Sequence, residues 1–187
     1  EPAGPPAIGH LTVVPEVSYP MVLGRRLAER YQGQPIAVDN AGRPGESAAR
    51  ALSRFAATMV EARPDAVLLL DGYNDLESPA SIAAAATAMA HMVELARAQG
   101  ASVFVATLTP GLPGRQRSPS EAFVSAYNAL VRDLAARSDV ALVDLFRMAA
   151  PNPAAWIGVD GLHPTEEGYA RIAEAFLAAI RDALEER

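Results

Sequence analysis

The sequence contains no cysteine, and its sixteen basic residues are all arginine, so it has no lysine either. Without cysteine there are no thiol nucleophiles, no disulfides and no thiolate metal sites, and the redox compartment is left open. Without lysine, a Schiff base, a phosphate-loop lysine and a Ser-Lys dyad are excluded. Long apolar runs are missing too. The richest stretch, Ser81 to Ala90, is mostly alanine, is too short to cross a bilayer and passes into an amphipathic pattern, so no membrane span is expected. Positive charge is in deficit: 16 basic against 22 acidic residues give a net charge of −6, spread along the chain. A nucleic-acid partner would need a basic face, so none is expected. No signal peptide is visible at Glu1. The compartment is therefore unassigned, a processed secreted or periplasmic protein being compatible with such a start.

What is present is a chain of 187 residues, half of them hydrophobic, with no long polar tract. That fits a single globular domain over 1–187 with a sizeable core. Residues 1–18 read as a Pro/Gly-rich loop with one short extended piece at Leu11 to Val14. Leu23, Leu27 and Tyr31 form a helical stripe, and Pro35 to Asp39 reads as a buried strand. Helices are expected around Ala48, Leu52, Phe55 and Met59, over Ser81 to Gln99 with Gly100 as its stop, over Ser120 to Arg137 burying Phe123, Tyr127, Leu130 and Leu134, and at the C-terminus with Tyr169, Ile172, Phe176 and Ile180 inward. Asp65 to Leu70, Ala101 to Thr107 and Val140 to Asp144 read as the strands between them. Strand and helix in regular alternation imply an α/β fold with a parallel central sheet, in which ligands bind at the C-terminal strand ends.

Three polar clusters fall at such positions: Asn40 to Glu46, Asp71 to Asp75, and Asp160-Gly161-Leu162-His163 before the last helix. Taken singly, the first two are ordinary turn sequences, because Asn, Asp and Gly populate turns for conformational reasons. The third pairs an imidazole with a carboxylate three residues away, which is what the last two members of a hydrolytic triad require: a proton acceptor, and a group that fixes its tautomer. A helix cap or a satisfied core histidine is the plainer reading of the same four residues.

Together, and in this order, the clusters resemble the SGNH hydrolases, also called the GDSL esterase family. Gly42 matches the family's glycine block, Asn74 in Gly72-Tyr73-Asn74-Asp75 its asparagine block, and Asp160 with His163 its Asp-x-x-His block. The resemblance runs from about Val17 to the last helix and lacks only the Gly-Asp-Ser block. It implies a three-layer flavodoxin-like fold, His163 as general base, Asp160 as its orienting partner, and the Gly42 N–H and the Asn74 amide as oxyanion donors. It implies an acyl-serine intermediate and no metal or organic cofactor. The substrate would be a small-molecule ester: an acetylated carbohydrate, a short acyl ester or a lysolipid. Glycine permits close backbone approach and Asn is a neutral donor, so the residue types suit these roles. Asp75 reads as a helix or loop cap.

The nucleophile is expected upstream of Glu1, on a first strand between those ending at Asp39 and Asp71 in the order 2-1-3-4-5. Without it both neighbours would lose ladder hydrogen bonds. Ser47, the serine nearest the expected crevice, reads as a helix start. His10 and His91 lack metal-ligand spacing. Arg115 and Arg117 read as solvated, with an anionic substrate as the other possibility, and Trp156 either lines a pocket or anchors its loop. Two other classes fit the fold: a non-catalytic binding domain on the same scaffold, and a flavodoxin-like nucleotide or flavin binder, for which the Asp-x-x-His pair would have no role.

Overall fold

The computed structural model describes residues 14–185. Three short parallel strands, β1 (Ala66–Leu69), β2 (Ser102–Ala106) and β3 (Ala141–Val143), form a sheet in the order β1-β2-β3, with Val67 opposite Val103 and Val105 opposite Leu142. Among the described residues six α-helices accompany them: α1 (Tyr19–Arg30), α2 (Ala48–Ala62), α3 (Pro79–Ala98), α4 (Glu121–Ser138), α5 (Leu145–Ala149) and α6 (Glu166–Glu185).

Alternation of side chains along a strand sorts the core into two layers. Val67, Leu69, Val103 and Val105 pack under α2, α3 and α4, against Met59, Met89, Val93, Tyr127 and Val131. Phe104, Ala106 and Val143 face the other way, against Leu23 and Leu27 of α1 and Ile172, Phe176 and Ile180 of α6. β2 is buried on both faces from Val103 onward, as a central parallel strand must be. The α/β class and the parallel sheet expected from the sequence are thus present.

Several details differ. Residues 35–39 are not a strand: they have no ladder partner among the described residues, although Ile36 and Val38 pack on the α1/α6 layer. Apolar alternation reports a face to bury, and pairing needs a neighbour as well. The outer edge of β1 likewise carries no strand partner among the described residues. Leu130, expected inside, is 40% exposed, because α4 turns Tyr127, Val131 and Leu134 inward instead. The short helix α5 is an addition, started by Asp144, whose carboxylate accepts from the Arg147 N–H at 3.1 Å. The extended piece at Leu11 to Val14 and His10 lie outside the described residues except for Val14, which precedes a 3-10 turn at Pro15–Val17.

Candidate active site

The segment from Trp156 to Thr165 is a closed loop. Ile157 bridges Pro164 antiparallel, the Gly158 N–H donates to the His163 carbonyl at 2.8 Å, and the Thr165 N–H donates to the Trp156 carbonyl at 2.9 Å. Trp156 and Ile157 are buried in the α1/α6 layer, so Trp156 anchors the loop. At the exit, Thr165 Oγ1 accepts from the Gly168 N–H at 3.0 Å. A side chain at Gly168 would run into the Trp156 carbonyl, so the absent Cβ is what lets α6 start against this loop.

Within that frame Asp160 is 2% exposed. Its Oδ1 accepts from the Leu162 and His163 N–H groups, both at 3.0 Å, and its Oδ2 meets His163 Nδ1 at 2.5 Å. Burial pushes the Asp160 carboxyl up, but the imidazole bond and the two backbone donors outweigh it and hold the group below the usual carboxylate range. The charged carboxylate accepting at Nδ1 leaves Nε2 as the atom that can take a proton. The His163 side chain is 45% exposed, and its Nε2 makes no hydrogen bond among the described residues.

The other two clusters reach each other through side chains. Asn74 sits in a 3-10 turn, Tyr73–Asp75, after β1 and donates from Nδ2 to the Glu46 carbonyl at 2.9 Å, leaving its second amide hydrogen uncommitted. The buried Asp75 accepts from the Ala48 N–H at 3.0 Å and so caps α2 from across the chain. Desolvation pushes its carboxyl up. Gly42 is exposed and its N–H is engaged locally, donating to Asn40 Oδ1 at 3.0 Å. The far end of this loop is pinned by Arg54, which grips the Glu46 carboxylate and donates to the Ala41 carbonyl at 2.7 Å. That grip holds the Glu46 carboxyl below its usual range. Ser47 directly precedes α2, with no side-chain capping bond.

The loop after β2 closes the circuit. Tyr73 Oη donates to the Thr109 carbonyl at 2.8 Å, tying the Asn74 turn to this loop. The loop in turn docks on the His163 turn, with the Leu112 N–H donating to the Gly161 carbonyl at 3.0 Å and the Arg117 N–H to the Asp160 carbonyl at 2.9 Å. All three clusters therefore belong to one hydrogen-bonded rim at the C-terminal ends of the strands.

A family model described as the GDSL-like Lipase/Acylhydrolase family matches residues 8–171. The chain belongs to this family, the SGNH hydrolases. The family makes it a carboxylic ester hydrolase. Esterase TesA of Pseudomonas aeruginosa is 29% identical over 165 residues, covering 87% of this chain and 78% of that protein. A crystal structure of TesA superposes with a TM-score of 0.76 at 26% identity, covering 93% of both chains. The lipase/acylhydrolase from Enterococcus faecalis has a TM-score of 0.76 at 22% identity over 87% of this chain and 84% of that one, a likeness of fold.

One residue of the second cluster has no role assigned from the sequence. Asp71, two residues after β1, accepts from the Gly72 N–H at 2.7 Å, and Tyr127 Oη donates to its carbonyl at 2.9 Å. Burial, with Asp75 and Glu46 nearby, pushes its carboxyl up to about 6 against the pull of the Gly72 N–H and Arg54. Its place after an apolar run was a signal, but the same place suits a turn aspartate.

Proposed function

We propose that this SGNH hydrolase cleaves a carboxylic ester by a serine mechanism in which His163 is the general base and Asp160 its orienting partner. The observation that carries the proposal is the buried carboxylate bonded at 2.5 Å to Nδ1 of a half-exposed imidazole whose other nitrogen has no hydrogen-bond partner among the described residues. The serine Oγ–H passes its proton to His163 Nε2 as Oγ attacks the carbonyl carbon. The tetrahedral oxyanion accepts from the free Asn74 amide hydrogen and from the Gly42 N–H, which must first leave Asn40 Oδ1. Collapse breaks the bond to the alcohol oxygen, which takes the proton from Nε2. Water then repeats the cycle on the acyl-serine and releases the carboxylic acid.

The serine would come from residues upstream of Glu1, on a strand paired to the open edge of β1. Such a strand would lie between β1 and residues 35–39, giving both a ladder partner and putting its C-terminal end on the same rim as Asn74. The esterase name of the TesA relative supports an oxygen ester. Acetylated carbohydrate, short acyl ester and lysolipid remain alternative substrates within this reading.

Hydrolysis of 4-nitrophenyl acetate by the full protein tests the proposal. Turnover that disappears in His163→Ala supports it. Turnover that survives that substitution, or none from folded wild-type protein, refutes it.

A further inference from the structure

We infer that Arg115 and Arg117 form a recognition site for an anionic group on the alcohol portion of the ester. The inference rests on the hydrolase reading above and adds its substrate class. From Pro110 to Ser120 the chain carries these two arginines and no acidic residue, in a protein of net charge −6. Neither guanidinium has a carboxylate within 4.0 Å among the described residues. Arg54 and Arg132, which also stand near strand ends, are each bound to one, Glu46 and Asp144.

The backbone beneath the two arginines is fixed. The Arg117 N–H donates to the Asp160 carbonyl and the Leu112 N–H to the Gly161 carbonyl, at 2.9 and 3.0 Å. The Arg115 N–H donates to Ser118 Oγ at 3.0 Å, and the same hydroxyl donates to the Leu112 carbonyl. Gly161 is part of the device. It has φ +89°, and a Cβ there would sit 2.5 Å from the Arg115 Cβ and 2.6 Å from Ser118 Oγ. Glycine in the Asp-Gly-Leu-His turn is therefore what admits the arginine loop onto the catalytic turn.

On a backbone held this way, two exposed guanidiniums with no carboxylate partner among the described residues offer planar donor forks suited to a carboxylate or a phosphate. The side of the reaction follows from the chemistry. His163 must hand its proton to the departing alcohol oxygen, so groups that flank the histidine turn meet the alcohol moiety, whereas the acyl oxygen faces Asn74 and Gly42.

The test compares three acetates on the full protein: 4-acetoxybenzamide, which is neutral, 4-acetoxybenzoate and 4-acetoxyphenyl phosphate. Each kcat/KM is divided by that ester's own hydroxide-catalysed rate. Wild type is expected to favour at least one anionic ester by about three- to ten-fold, the scale set by two partly solvated charge pairs. The better anion distinguishes carboxylate from phosphate recognition. High salt should shrink the preference. Arg115→Ala with Arg117→Ala should abolish it, with Tm and the rate on the neutral ester kept, because the loop is docked by backbone groups. Arg115→Lys with Arg117→Lys should keep part of it. Turnover of all three esters without an anionic preference overturns this inference alone. No turnover of any ester overturns the hydrolase reading and this inference with it.

Discussion

The two halves of the rim are built differently. The His163 half is held by the main chain: a bridge between Ile157 and Pro164, carbonyls of Trp156, Asp160, Gly161 and His163 all bonded, and an aspartate buried beneath the imidazole. The Gly42 half is held by side chains reaching in from other elements, Arg54 to Ala41 and Asn74 to Glu46, while Asn40 to Gly45 stay exposed. In the proposed role of general base His163 would need its tautomer set before substrate arrives, and a backbone-locked loop does that at no cost during the reaction. On the proposed mechanism the Gly42 half would supply the oxyanion donors, and it is only partly organised, since the Gly42 N–H is occupied by Asn40. The difference ranks what each side should lose on mutation.

The largest effect belongs to the locked half. His163→Ala or Asp160→Asn should lower kcat by roughly 10³-fold or more, with KM much less changed. A loss confined to KM would mean that the dyad binds and does not transfer protons. Asn74→Ala should come next, at about 10²- to 10³-fold in kcat. If Asn74 only staples the Glu46 carbonyl, Tm will fall and kcat will not. Gly161→Ala should destabilise by about 1–3 kcal/mol through its left-handed backbone alone, and should also lift the arginine loop. An unchanged Tm would show that the docking of that loop is weak.

The smallest effect contrasts two aspartates. Asp160, held below its unfolded range, adds stability above that range and loses it as pH falls through the lower folded value. Asp71 has the opposite sign. Its folded value of about 6 lies above the unfolded one, so the folded state binds the extra proton and stability declines as pH rises from about 4 to 6. Asp71→Asn should therefore flatten the stability profile across that window and raise stability at pH 7 by about 1 kcal/mol, because solvent screens the partly exposed carboxylate. Thermal melts from pH 4 to 8 would show it. A variant less stable than wild type at pH 7 would mean that Asp71 is needed charged.

How far the sequence carried follows the range of the contacts involved. Asp160 and His163 were legible because their bond spans three residues, and β2 because a fully buried strand reads as an unbroken apolar run. Asp75 was legible as a cap, though not as the cap of α2, whose first residues are 27 positions away. Residues 35–39 misled because a pattern of Ile36 and Val38 says nothing about a partner strand. The docking of Leu112 and Arg117 on the Asp160 turn was invisible, since Gly111, Gly114 and Gly161 look like turn residues until the two loops are seen together. The α5 helix was missed because five residues started by one aspartate give too little periodicity.

The most direct test of the central claim is intact-mass spectrometry of the full protein before and after a fluorophosphonate that labels activated serines. The account predicts one adduct, on a serine upstream of Glu1, that is lost in His163→Ala. Folded, untagged protein that gains no adduct, or an adduct on a serine within residues 14–185, would contradict it.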